Sequence, residues 1–326
     1  MGRKHAIWTA PEAVRALFPP GLSGNDVNGL GEAAPRRATP IFWHRPEKEA
    51  FGALQEKVVA RFNSVPAFHD VYAKGDRGPR KPDPVGAVRR PGTPEGFAGE
   101  VKAFALANEA DLVGIARLDP AWIFEGYEHA LPWVVVFGVG MDHERLSEVP
   151  STAENPTGQM EVALAYNRGA RVAMRVANFI RGLGYEATPH SGPWAGALNM
   201  LPAALACGFG ELGKHGSIIN RNLGSSFRLA AVSTDLPLAA DAPDAFGVDE
   251  FCARCQVCRN ACPPDAIHDV KQLVRGVEKW FVDFDKCIPY FDETYGCGIC
   301  IAVCPWSTPG RAPRLAAVWS QRRRAK

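Results

Sequence analysis

Residues 251–264 read FCARCQVCRNACPP, and residues 286–306 read KCIPYFDETYGCGICIAVCPW. Eight of the nine cysteines fall in these two stretches. Cys252, Cys255, Cys258 and Cys262 are spaced C-x2-C-x2-C-x3-C, with Pro263 directly after. Cys287, Cys297, Cys300 and Cys304 form the second run, which also closes on a proline, Pro305. Iron prefers thiolate sulfur, and a C-x2-C-x2-C turn wraps three sulfurs around one face of a cubane. The fourth cysteine of such a run reaches the other cluster. The expected ligand sets are therefore crossed: Cys252, Cys255, Cys258 and Cys304 on one [4Fe-4S] cluster, and Cys287, Cys297, Cys300 and Cys262 on the other. Disulfides and zinc are the competing uses of eight cysteines. A disulfide scaffold belongs to a short secreted chain, whereas this one has 326 residues and no visible secretory signal. Zinc tolerates C-x2-C pairs but has no reason to repeat C-x2-C-x3-C-P.

Working outward, the length allows two domains, and 46% hydrophobic with 22% charged residues is ordinary for a globule. The formal net charge is +2, so no global charge argues for nucleic acid or a membrane surface. Arg77–Arg90 and the end QRRRAK are locally basic and read as solvated or disordered segments. No apolar run reaches the length of a membrane span. The N-terminus lacks an uninterrupted apolar stretch or a twin arginine before one. Thiolates kept for clusters suit a reducing compartment, so the expected location is cytoplasmic.

Residues 1–94 are rich in proline, glycine and arginine and read as an extended arm that wraps a body. Within it, Leu54, Val58, Val59 and Phe62 carry helical spacing. From Thr93 the pattern turns regular. Thr93 is a natural N-cap, with Pro94 at the first helical position and Glu95 following. DLVGIARLD reads as a short buried strand. Trp133–Met141 is a β-branched apolar run, expected as a central strand. Gln159–Leu183 is the longest helical pattern, with Val172, Val176, Phe179, Ile180 and Leu183 on one face. Gly184 fits the left-handed position that ends it. Phe227–Leu238 reads as the next strand. The expected organisation is an arm (1–94), an α+β core (95–248), a cluster domain (249–310) and a basic tail (311–326).

Gly208-Phe-Gly210-Glu-Leu-Gly213 satisfies G-x-G-x-x-G, but LPAALACGFG reads as the end of a helix, so a Rossmann site is not expected. Gly208, Gly210, Gly213 and Gly216 read instead as a loop whose backbone lies close against a large flat ligand. The histidine-on mode of corrinoid binding uses D-x-H-x-x-G, and no such string occurs. Cys207 reads as a small buried hydrophobe.

In order along the chain, LVGIARLDPAWIF, FIRGLGYEA, GFGELGKHGSIINRNLGSSFRLAAVSTDLPL and the two cysteine runs ending CPW together resemble the reductive dehalogenases. These are cobamide and double [4Fe-4S] enzymes related to epoxyqueuosine reductase. The resemblance spans roughly residues 95–307. It implies a nitroreductase-like α+β core holding base-off cobalamin, with a bacterial-ferredoxin-like 2[4Fe-4S] domain feeding it electrons. It also implies a proton-donating tyrosine near the start of the long helix, which here is Tyr166 in ALAYNRGARVA. The basic partner it implies is Arg228 in SSFRLAAV, with Lys214 in LGKHG as the rival.

A phenol ordinarily titrates near 10, so a close cation is needed if it is to deliver a proton at neutral pH. The implied reaction is reductive dehalogenation of a small organohalide by Co(I), fed by a low-potential donor such as a ferredoxin, flavodoxin or reductase. The chain departs from the family in two ways. Respiratory members carry an export signal not seen here. Tyr166-Asn167-Arg168 is also not the Arg-Asp-Tyr-His-like string of epoxyqueuosine reductases, which disfavours a tRNA substrate. Two rivals remain: another cobamide and iron–sulfur reductase or binding protein, and a pure electron-transfer protein.

Overall fold

The computed structural model describes residues 5–324; residues 1–4 and 325–326, the outermost parts of the arm and the basic tail, lie outside the described residues. Strands β1 (Leu112–Arg117), β2 (Trp133–Gly140), β3 (Ala187–Ser191) and β4 (Phe227–Thr234) form one antiparallel sheet in the order β1-β2-β4-β3. The two most apolar runs are thus its two inner strands. Side chains alternate across a strand. Val135, Phe137, Ala230 and Val232 face one apolar cluster, while Val134, Val136 and Ala231 face another.

Two helices cover the first face. Thr93 caps Pro94–Ala107 by accepting from the Gly96 N–H at 3.1 Å. The long helix spans Thr157–Gly182, and Gly184 follows it at φ +87, the left-handed turn-out expected there. Val172, Val176 and Ile180 of the long helix are fully buried against the sheet. Each such aliphatic side chain contributes about 1.5–3 kcal/mol on leaving water.

The short helix Met200–Ala206 covers the other face and ends at Cys207. Cys207 is buried and packs so closely on β1 that a Cβ at Gly114 would lie 2.5 Å from its carbonyl oxygen. Beyond it, Gly208 and Gly210 take φ of +85 and +121 before a hairpin of Glu211–Leu212 with Ile218–Ile219. No helix opens at these glycines, so the dinucleotide reading is physically excluded.

The cysteine-rich region hangs on the core through Glu211. Its carboxylate accepts from the N–H groups of Phe246, Gly247 and Val248 at 2.8–2.9 Å and so caps the helix Val248–Arg254. Short helices Val257–Ala261, Phe284–Glu293 and Ile299–Ala302 carry the remaining cysteines or flank them.

One basic segment keeps its sequence reading and one departs from it. Arg77–Arg90 is mostly exposed, as expected of a solvated segment, and is tied down at its ends: Arg77 reaches Asn167 and the Gly192 carbonyl, and Arg90 pairs with Glu100 at 2.7 Å. The tail is a helix, Arg311–Arg324, with Ala312 and Ala316 buried beside Trp306. Its apolar residues 312, 315, 316 and 319 recur at helical spacing, an amphipathic signal that the surrounding arginines obscured. The arm, too, has structure of its own. Helices Gly52–Asn63 and Pro66–Ala73 bury Val58, Phe62 and Phe68 against Met160 and Tyr295, bridging the long helix and the cysteine region. Among the described residues, no helix is long and apolar enough to cross a membrane.

Candidate functional site

Strand alternation puts Arg228, like Ala230 and Val232, on the face that the long helix covers. Tyr166 stands about one turn before Gly169, where a Cβ would lie 3.2 Å from that of Ala230. The two side chains therefore meet at one end of the sheet: the Arg228 guanidinium carbon sits 5.5 Å from the centre of the Tyr166 ring. The buried Nε of Arg228 has no hydrogen-bond partner among the described residues. Gly192 passes tightly over the tyrosine, since a Cβ there would fall 2.3 Å from a ring carbon. No side chain other than glycine fits without moving the ring.

Both residues open into a cavity of about 440 Å³, within the usual range for ligand sites. Trp43, Phe62, Trp194 and Phe291 give it aromatic walls, and Tyr72 and Arg77 add polar groups near Tyr166. Burial, then the neighbouring Tyr166, raises the Tyr72 phenol above its ordinary value. Arg77 is held by donating to Asn167 Oδ1 at 2.7 Å and to the Gly192 carbonyl at 2.6 Å. Asn167 in turn donates to the Val71 carbonyl at 2.8 Å, so the residue after Tyr166 locks the arm to the long helix.

The same cavity is lined by Cys262, Cys287, Cys297 and Cys300. Burial pushes the Cys297 thiol up to about 12, with Cys262 acting in the same direction. Burial likewise raises Cys287, reinforced by Cys297 and Cys262. The other four cysteines form a second group. Burial, then Cys304 and Cys255, pushes Cys258 up to about 12, and burial takes Cys304 to about 11. Cys262 thus lies with Cys287, Cys297 and Cys300, and Cys304 with Cys252, Cys255 and Cys258. Among the described residues no three of His, Cys, Asp or Glu converge closely enough to hold a single metal ion.

Not every expected residue reaches the cavity. Gly208, Gly210, Gly213 and Gly216 are absent from its lining. A Cβ on Gly210 would strike the Ile219 carbonyl and one on Gly213 the Ile219 and His215 side chains, so these glycines serve the hairpin. Lys214 is buried with the other cysteine group, its ammonium 4.9 Å from the centre of the Trp280 ring, and it is not among the groups lining the cavity. Sequence reasoning missed Arg77, Tyr72, Gly192 and the tryptophans Trp43 and Trp194. Only Arg77 carried a signal, a basic residue in a proline- and glycine-rich stretch, and it pointed to solvent.

Residues 251–308 match the family model described as a 4Fe-4S dicluster domain. The chain is 30% identical to the tetrachloroethene reductive dehalogenase of Sulfurospirillum multivorans, covering 69% of this chain and 53% of that protein. It is 36% identical to the enzyme of the same description from Desulfitobacterium hafniense, over 60% of this chain and 37% of that one. Epoxyqueuosine reductase of Salmonella typhimurium is 27% identical over 65% of this chain and 64% of its own length. A solved reductive dehalogenase, described with a mechanism for B12-dependent dehalogenation, superposes with a TM-score of 0.66 at 27% identity. That match covers 86% of this chain and 40% of the solved one. The chain therefore spans about half or less of the reductive dehalogenases it matches.

Proposed function

We propose that this chain, a relative of the reductive dehalogenases that carries a 4Fe-4S dicluster domain, is a cobamide-dependent iron–sulfur reductase that removes halogen from a small organohalide. One observation carries the reading: a single cavity is lined both by Cys262, Cys287, Cys297 and Cys300 and by the Tyr166–Arg228 pair. The residues present fit a flat macrocycle. The walls are largely aromatic and apolar, the unpartnered Arg228 Nε lies at the edge of the space, and no histidine lines it. A cobamide held there would supply low-valent cobalt able to attack a carbon–halogen bond. Trp43, Trp194 and Phe291 would bound its site, and the cysteine-held cluster beside it would deliver electrons received from a low-potential donor.

The chain's own chemistry is placement, water exclusion and a proton. Arg228 cannot lose its proton and stands over the Tyr166 ring, so it favours phenolate once the hydroxyl proton has gone to the carbon left by halide. The close pass of Gly192 limits how the ring can turn, and Tyr166 lines the cavity. The aromatic walls left beside a bound cobamide suit an aromatic or alkenyl halide. The relatives named for tetrachloroethene and the solved relative in complex with 3-bromo-4-hydroxybenzoic acid bracket that class.

The test is anaerobic reconstitution with iron, sulfide and cobalamin, followed by halide release from tetrachloroethene and 3-bromo-4-hydroxybenzoic acid under strong reductant. Bound cobalamin, about eight irons and measurable halide support the reading. Two intact clusters without any cobalamin uptake would make the chain an electron-transfer protein. Bound and reducible cobalamin without halide release would make it a cobamide-binding protein.

A further inference from the structure

Lys214 is 1% exposed, and its ammonium has no hydrogen-bond partner among the described residues. Burying an unpaired cation is unfavourable unless an opposite charge compensates it. The neighbours present do not supply one. Its nitrogen stands 4.9 Å from the centre of the Trp280 ring, a contact that lessens the cost without neutralising the charge. Lys271 lies over the same ring but pairs with Asp249 at 2.6 Å, so that carboxylate is already engaged. What does surround Lys214 is the cysteine group farther from the cavity. Its backbone N–H donates to Cys252 Sγ at 3.4 Å, and the Trp280 ring against its ammonium shares one apolar cluster with Cys252 and Cys304.

We propose that Lys214 is the built-in counter-cation of the cluster held by Cys252, Cys255, Cys258 and Cys304, and that it sets that cluster's reduction potential. The inference rests on the cluster assignment above but not on dehalogenation. A [4Fe-4S] cluster with four thiolates is a dianion when oxidised and gains one more negative charge on taking up an electron. A fixed cation in a low-dielectric pocket therefore favours the reduced form. The charge makes this cluster easier to reduce than it would be without Lys214. Lys214 is a positioning residue for charge and touches no substrate.

The experiment is an EPR-monitored redox titration of the reconstituted holoprotein and its Lys214→Met, Lys214→Gln and Lys214→Arg variants. Removing the charge should lower the reduced-to-oxidised ratio of this cluster about tenfold at fixed potential, which is about 59 mV for one electron. The cavity-side cluster should move far less, and Lys214→Arg should stay near wild type. If the Met and Gln variants take up only one cluster while the Arg variant takes up both, charge compensation is again supported. No shift in Met and Gln, an equal shift of both clusters, or an Arg variant as damaged as Met would overturn the proposal. A selective shift in a protein that never releases halide would leave this inference standing and sink the functional reading.

Discussion

Replacing Tyr166 with phenylalanine isolates the proton from everything else the site does. The substitution keeps the ring that fits beneath Gly192 and against Arg228 and removes only the hydroxyl. Tyr166 lines the cavity, and loss of one hydroxyl there should change the stability of the folded protein by about 1 kcal/mol. Loss of a positioned general acid costs on the order of 10²–10⁴ in rate. At about 1.36 kcal/mol per tenfold, that is about 2.7–5.4 kcal/mol of barrier, well above any packing effect. Tyr166→Phe should therefore keep both clusters, take up cobalamin and still be reduced to Co(I), yet release halide at least about a hundredfold more slowly. Arg228→Met should show a smaller loss, because the phenol remains while the cation that favours its ionised form is gone. The assay is initial halide release beside an absorbance record of the cobalt state in the same cuvette. Turnover of Tyr166→Phe within about threefold of wild type would remove Tyr166 from the mechanism.

Two further outcomes follow from the same geometry. Cys262→Ser should damage the cluster shared with Cys287, Cys297 and Cys300, because Cys262 lines the cavity with them; EPR showing loss confined to the Cys252 group would refute the crossed assignment. Asp292 is buried, neither carboxylate oxygen has a partner among the described residues, and burial raises it from 3.8 to about 8. The folded state thus holds this proton more tightly than the unfolded one, so its stabilising effect is full below about 3.8 and is lost as pH rises towards about 8. Anaerobic denaturant unfolding should show stability falling between pH 5 and 8.5, with Asp292→Asn flattening that fall; an unchanged slope in the variant would refute it.

The chain's local chemistry was legible because it is written at short range. Eight cysteines within 53 residues, the Thr93 cap, the apolar runs of β2 and β4 and the long amphipathic helix each depend on spacings of two to ten residues within one run or element. Such spacings determine a strand, a helix end or a cluster-binding turn whatever surrounds them. Resemblance added Tyr166 and Arg228, which are 62 positions apart and share no local pattern.

Only the tertiary structure decided which distant groups share a space. It brought Arg77 and Tyr72 from the arm to Tyr166, and it turned a basic tail into a helix packed beside Trp306. It also separated Arg228 from Lys214, the first choice and the rival that the resemblance offered as partners of the tyrosine. Arg228 ends on the helix-covered face of the sheet because strand side chains alternate. Lys214 lies in the tight hairpin after Gly213 and is carried to the far cysteine group. Charge and size are properties of a residue, whereas burial and the partner that compensates it belong to the fold, so these roles could be assigned only once the chain was closed.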